Sequence, residues 1–485
     1  MKHRLSLTAS PFPAIAVALA LSCQAIGASA APAGRHGRPC HLPGSEEPLR
    51  CIDVPVALDH QAPQGATLTL HVTLAPAFRE AAKRDPLFVL AGGPGQAGSD
   101  TLMLLDASFR KVRATRDIVF IDQRGTGLSG KLDCANKDAH ETLSEAQLAD
   151  VFKQCIKNLK QPFAHFNTEQ SARDVEQVRL AMGYDQINLW GSSYGTRLAQ
   201  AYARRYPTGA RALILDGVAS PEQIVPAGGR DGQAALEAVF QQCAKDQACA
   251  AAYPGLRAEF DTLLARARAG TIALDFPHPR TALPTRRVLS NRIFTGTVHS
   301  VLYSAPDSRR LPFLIHSAYQ GNWGPFLARG YAATDFSLEG PVASVMHLAV
   351  ICAEDVPRLS PELLVSDERN SFLAGSAKRI ADLCPLINVP AIAWRAPVRL
   401  TAPALLLSGA LDPVTPPHRA ASAANLMPSA QHIVVANAGH GISHLGCAPR
   451  LLREFLDQPF LPLAAQCLTQ LPAGSFQLGS AGAQP

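Results

Sequence analysis

Uninterrupted apolar runs and alternating ones give this chain two textures. Residues 52–58 and 67–74 read as strands, the second alternating apolar and polar positions in the manner of an antiparallel edge. Unbroken apolar runs follow at 86–90, 117–121, 187–190 and 212–215, and the pattern returns late at 404–407 and 432–435. Helical stretches separate them, such as 194–206, which Pro207 ends. Unbroken runs spaced by helices are strands of a mostly parallel sheet buried on both faces, so the expected class is α/β.

Between Ser220 and about Arg399 the texture changes to short amphipathic helices, for example 233–245 and 256–267, often interrupted by proline. Some 180 residues between two strands of one sheet exceed what an ordinary connection needs. The expected division is a sheet core over 31–219, an inserted helical cap over 220–399, and the rest of the core over 400–485.

The first thirty residues stand apart. Lys2, His3 and Arg4 make a basic start, 14–21 is a short apolar run, and Ala28-Ser29-Ala30 is a small-residue cleavage site. This reads as a secretory signal peptide over 1–30, since the apolar run is too short to cross a bilayer. Beyond it, 31–39 reads as a polar, flexible arm. Ala20-Leu21-Ser22-Cys23 lacks the leucine expected three residues before a lipidated cysteine.

Removing the leader leaves ten cysteines, at 40, 51, 134, 155, 243, 249, 352, 384, 447 and 467. An exported chain, periplasmic or secreted, meets an oxidising compartment, so disulfides are expected; the spacing leaves the pairing open. No C-x-x-C occurs and the histidines lack ligand spacing, which argues against zinc and leaves no cofactor implied. The net charge of +6 is spread without basic runs, so nothing marks a nucleic-acid surface.

The chemistry collects on loops that follow apolar runs. Residues 186–196 read Q-I-N-L-W-G-S-S-Y-G-T, and Gly191 and Gly195 flank Ser193 in the G-x-S-x-G pattern of a nucleophile elbow. A sharp strand-to-helix turn strains its apex residue, and small neighbours two positions away relieve the crowding; Ser192 is only the residue before the apex. A nucleophilic serine needs a base and a carboxylate to orient that base. The run at 404–407 leads into G-A-L-D-P-V-T-P, placing Asp412 just past a strand, and 432–435 leads into A-N-A-G-H-G, placing His440 likewise. Serine, aspartate, histidine is the chain order of such hydrolases.

The loop A-G-G-P-G at 91–95 has the flexibility to present amides to an oxyanion, with Gly93 as one expected donor and Tyr194, after the serine, as the other. D-Q-R-G-T-G-L-S at 122–129 lacks the Lys-Ser/Thr of a phosphate loop, so Asp122 and Arg124 are expected to brace loops around that site.

Together A-G-G-P-G, D-Q-R-G-T-G-L-S, W-G-S-S-Y-G-T, G-A-L-D-P-V-T-P and G-H-G resemble exported α/β-hydrolase peptidases of the prolyl aminopeptidase and tripeptidyl aminopeptidase family. The resemblance runs from about Cys51 to Cys467. Prolyl aminopeptidases usually carry His before G-G-P-G, where this chain has Ala91; that departure, the cysteines and the length look more like the tripeptidyl branch. The resemblance implies a mostly parallel eight-stranded sheet with a helical cap over the active site. It also implies cleavage of short peptides from a free N-terminus, without cofactor or metal. Such an exopeptidase needs carboxylates to meet the substrate ammonium, and Glu354 and Asp355 in I-C-A-E-D-V-P are the local choice. A solvated acidic pair is the plainer reading of the same residues.

An esterase of small esters would use the same machinery, because fold does not fix substrate. A non-catalytic binding protein on this scaffold would not need the nucleophile. Epoxide and haloalkane hydrolases carry a carboxylate at the elbow, which Ser193 excludes.

Overall fold

The computed structural model describes residues 37–482 apart from 80, 135–144, 279–280 and 336–341. The expected signal peptide lies outside the described residues. The strands are β1 (Arg38–Cys40), β2 (Leu49–Ala57), β3 (Thr67–Ala75), β4 (Leu87–Leu90), β5 (Ile118–Ile121), β6 (Ile187–Ser192), β7 (Ala210–Asp216), β8 (Ala273–Pro277), β9 (Pro284–Val288), β10 (Ala404–Gly409) and β11 (Ala430–Val435). Nine of them make one sheet in the order β1-β2-β3-β5-β4-β6-β7-β10-β11. The pairs from β5 through β11 are parallel, and β1, β2 and β3 add an antiparallel flank.

The short parallel strands β4 and β5 are buried at every position, as unbroken apolar runs require when helices cover both faces. Helices Thr168–Ala181 and Tyr194–Arg205 lie against one face, within the core cluster containing Val72, Leu90, Leu198 and Leu406. Helix Ala448–Asp457 closes the other face through Leu451, Leu452 and Phe455, which pack with Phe109, Trp190 and Leu407. The registers Leu90↔Gly191, Ser192↔Asp216 and Gly409↔Val435 bring the carboxyl ends of β4, β6, β7, β10 and β11 to one edge. Ligand sites of open α/β sheets lie at that edge.

Three expectations need correction. The sheet has nine strands where the resemblance implied eight, because part of the supposed arm pairs as β1, Arg38 opposite Cys51, with the Cys40–Cys51 disulfide beside it. The strand at 67–74 is antiparallel but not an edge: β3 lies between β2 and β5, so its second half is buried throughout. The segment between β7 and β10 is not all helical, since β8 and β9 pair as an antiparallel hairpin.

Among the described residues that segment adds no strand to the large sheet, and it supplies most of a second hydrophobic cluster, built around Phe240, Phe260, Phe294, Phe326 and Phe372 and joined by Phe476 of the C-terminal segment. The rings of Phe294 and Phe326 stack with centroids 5.3 Å apart. Helix Ser344–Glu354 packs elsewhere, in a cluster that includes Tyr194 of the elbow. Five disulfides join neighbouring cysteines in the chain: 40–51, 134–155, 243–249, 352–384 and 447–467. Closing the loop between Cys352 and Cys384 is worth about 3–4 kcal/mol on a chain-entropy model. No helix among the described residues is long and apolar enough to cross a membrane.

Candidate active site

Ser193 stands between the end of β6 and the first turn of helix Tyr194–Arg205 with φ 53° and ψ −123°. A non-glycine residue so placed is strained, and such strain persists where the surroundings over-determine it. Here its N–H donates to Asp216 O (2.9 Å), while its carbonyl accepts from Thr196 N (2.9 Å) and Thr196 Oγ1 (2.6 Å). The turn is tight enough that a Cβ on Gly191 would lie 2.4 Å from Gly195 O, and one on Gly195 only 2.0 Å from Leu90 O. No side chain fits at either position.

Asp412 and His440 follow β10 and β11. The Nδ1 of His440 lies 2.7 Å from Asp412 Oδ2. Asp412 is almost wholly buried and accepts from Val414 N (2.9 Å), Thr415 N (2.8 Å) and Thr415 Oγ1 (2.7 Å). Burial alone would raise its pKa; His440 and the Thr415 donors outweigh that and hold the carboxyl below its ordinary value. The imidazole is fixed from three sides. Its backbone N–H donates to Tyr303 O (2.7 Å), the Tyr303 ring meets it edge-on at 5.2 Å, and a Cβ on Gly217 would lie 2.9 Å from its Cε1.

The 91–95 loop reaches the serine: a Cβ on Gly92 would lie 3.0 Å from Ser193 Cβ. Gln96 Oε1 accepts from Gly92 N (3.1 Å) and Gln123 Nε2 donates to Ala91 O (3.0 Å). Gly93 has φ +103°, a backbone that favours glycine. Tyr194 opens its helix, so its N–H is among those with no partner inside the helix.

A model of the alpha/beta hydrolase fold matches residues 85–446, about three-quarters of the chain. The protein belongs to the alpha/beta hydrolase family. Among curated relatives, serine protease Hip1 of Mycobacterium tuberculosis is 30% identical over 189 residues, 35% of this chain and 36% of that protein. Tripeptidyl aminopeptidase of Streptomyces coelicolor is 25% identical over 196 residues, 36% of each chain. The chain thus spans about a third of the length of these relatives. Of solved structures, a serine hydrolase from Cycloclasticus zankles aligns over 85% of this chain and 100% of its own, at 11% identity and TM-score 0.38.

In this hydrolase the two acidic residues part company. Asp355 is fully buried, its oxygens 3.1 and 3.0 Å from Arg197 Nη1, with Arg358 at 3.8 Å. Glu354 keeps some exposure; it accepts from Thr168 N (2.6 Å) and Thr168 Oγ1 (2.8 Å), with Arg197 at 3.8 Å. Burial raises the Glu354 pKa, and Arg197 and Thr168 only partly oppose it. Neither is a solvated surface charge. Arg197 lies one helical turn beyond Ser193, and Thr168 Oγ1 is 2.7 Å from Tyr194 Oη, so this network stands against the helix that Ser193 precedes.

The bracing roles also redistribute. Asp122 accepts from Ser99 N and Leu128 N, but Arg124 turns away to Asp174, Leu58 O and His165 O. Gln123 is the residue of that motif that touches the 91–95 loop.

Three site residues were not singled out from the sequence. Thr415 had a local signal, since D-x-x-T lets a threonine three residues on cap its aspartate. His299 and His347 had none. His299 meets Tyr303 edge-on at 5.4 Å, the same ring that meets His440, and burial lowers its pKa to about 4. His347 Nδ1 is 2.9 Å from Pro94 O, joining helix Ser344–Glu354 to the glycine loop.

Proposed function

We propose that this hydrolase is a serine peptidase that removes short peptides or residues from the free N-termini of peptides. Ser193 attacks the scissile carbonyl while His440 takes its proton. The oxyanion is held by the amides of Gly93 and Tyr194, and Asp412 orients the imidazole and stabilises its charged form. Collapse of the tetrahedral species breaks the C–N bond as His440 returns the proton to the leaving amine. Water, activated by the same histidine, then hydrolyses the acyl-serine. The observation that carries this reading is the strained Ser193 apex on the same sheet edge as the buried Asp412–His440 pair.

The choice of a free amine rests on the acidic network one turn from Ser193. With Asp355 occupied by Arg197, Glu354 is the better placed to receive an ammonium, and its partial burial would strengthen the charge-assisted bond. Relatives named as a serine protease and a tripeptidyl aminopeptidase agree with peptide substrates. Five disulfides suit an oxidising, exported setting, periplasmic or secreted. Ester hydrolysis is the second reading, favoured by a relative named carboxylesterase B, 27% identical over 225 residues.

The test uses purified protein on aminoacyl, dipeptidyl, tripeptidyl and N-acetylated nitroanilides beside small esters. A free-amine peptide should be turned over far better than its acetylated twin. A fluorophosphonate should label Ser193, and Ser192→Ala should retain labelling. Ester turnover with no cleavage of any peptide would replace the peptidase reading by the second.

A further inference from the structure

A cavity of about 1050 Å3 opens beside His440. Its wall includes His440 but not Ser193, Gly93, Tyr194 or Glu354. The histidine loop, 437–441, forms one side; parts of 303–329 and the C-terminal segment 471–482 form the others. Arg309, Arg310 and Arg329 all contribute to the lining. Asp307 pairs with Arg310 at 3.2 Å and with Arg329, and Asp246 acts on Arg309. Three guanidinium groups therefore stand against two carboxylates.

Arg329 Nε is buried with no hydrogen-bond partner among the described residues. Arg309 lies 4.4 Å above the Phe476 ring, and burial lowers its pKa from the ordinary arginine value. An anion entering the cavity would meet guanidinium groups that outnumber the carboxylates paired with them, and charge-assisted bonds to such groups are stronger than neutral ones.

From this geometry we infer that the cavity is a leaving-side subsite, binding the peptide segment beyond the cut through its free α-carboxylate. The inference rests on the peptidase reading above. His440 returns its proton to the leaving amine, so the chain attached to that amine starts at His440. The cavity bordered by His440 and not by Ser193 is where that chain would run. Its volume is at the upper end of small-ligand sites, about 300–1,000 Å3, which is room for a short peptide. Arginine forks match carboxylates in bidentate fashion and set the end of that peptide.

The test is calorimetric titration of the whole Ser193→Ala protein, which is expected not to turn the ligands over, with tetra-alanine as free acid, tetra-alanine amide, and Ala-Ala-Ala-Glu amide. All three share the amine, so differences report the carboxylate and its source. The free acid should bind about tenfold or more tighter than tetra-alanine amide. The side-chain acid should gain less. Arg310→Gln, a half-exposed site, and Arg329→Gln should each shrink the difference, and Arg329→Lys should restore part of it. Equal binding of acid and amide overturns the proposal, as does a preference that survives both glutamine variants. Hexapeptide turnover separates this inference from the reading beneath it. Cleavage with equal KM for acid and amide removes the subsite alone. Preferential binding without any cleavage removes the peptidase reading and the leaving-side role, leaving a carboxylate site.

Discussion

The sheet and the segment inserted between β7 and β10 divide the labour of this molecule unequally. The groups proposed to make and break bonds, Ser193, Asp412, His440 and Gly93, all stand on loops at the carboxyl edge of the sheet. The groups that frame them come from the insertion: Tyr303 and His299 beside the imidazole, His347 against the glycine loop, Glu354 and Asp355 against helix Tyr194–Arg205 and its neighbour. Each unit also has its own apolar cluster, the sheet around Leu90 and Leu406, the insertion around Phe260 and Phe294. The framing groups divide between these surroundings: helix Ser344–Glu354 shares a cluster with Tyr194, and His299 meets the phenylalanine cluster at Phe372.

Replacing the proposed base tests that division most severely. His440→Ala should lower kcat/KM by about 10⁴-fold or more on peptides and esters alike, and Asp412→Asn should approach it. A loss confined to one substrate class, in protein of unchanged circular dichroism, would show that these residues select rather than react. On the other side, Phe294→Ala removes a fully buried ring from the insertion's cluster and should destabilise it by about 3–5 kcal/mol in urea unfolding. Fluorophosphonate labelling of Ser193 should persist below the transition. Loss of labelling in native buffer would mean that the two clusters stand or fall together.

Selection should yield smaller and substrate-dependent effects. Glu354→Gln should cost free-amine peptides about 2–5 kcal/mol in transition-state stabilisation and small esters almost nothing. Because burial raises the Glu354 pKa, KM for such peptides should begin to rise above the usual glutamate range as pH falls, and the glutamine variant should lose that rise. Equal loss on both substrates would indicate damage to the Tyr194–Thr168 contact instead. Thr415→Val leaves Asp412 without one buried donor and should cost about 1–3 kcal/mol on every substrate.

What was legible in the sequence follows the same line. Each apolar run read from the chain is a strand of the sheet; β4, β5 and β10 are unbroken because both their faces are buried, whereas β11 stands at the sheet's end and leaves Val434 exposed. Ser193, Asp412 and His440 stood out because each follows such a run within a glycine- or proline-marked loop. The insertion is held by contacts distant in sequence, and those leave no local pattern. His299 is an ordinary helix residue until it meets the Tyr303 ring that also meets His440, and Asp355 reads like Glu354 until Arg197 claims it. The strand β1 was hidden for a related reason: three residues carry no period, and their pairing depends on a partner eleven positions away through Cys40–Cys51.

An effect read in stability and not in turnover comes from His299, where the insertion meets the sheet edge that holds His440. Burial lowers its pKa to about 4, with His440 lowering it further and Asp412 opposing. In the unfolded chain an unperturbed histidine titrates near 6.5. Above that pH both states carry a neutral ring and the residue contributes no pH dependence. As pH falls from about 6.5 towards 4 the unfolded chain binds a proton that the folded one refuses, so stability declines through that window and levels off below it. His347, also lowered by burial, adds to the same slope. His299→Gln should therefore flatten, without abolishing, the fall in urea midpoint between pH 7 and pH 4.5. An unchanged slope would mean that His299 protonates freely in the folded protein. The insertion would then sit more loosely over the imidazole than the edge-on contacts with Tyr303 describe.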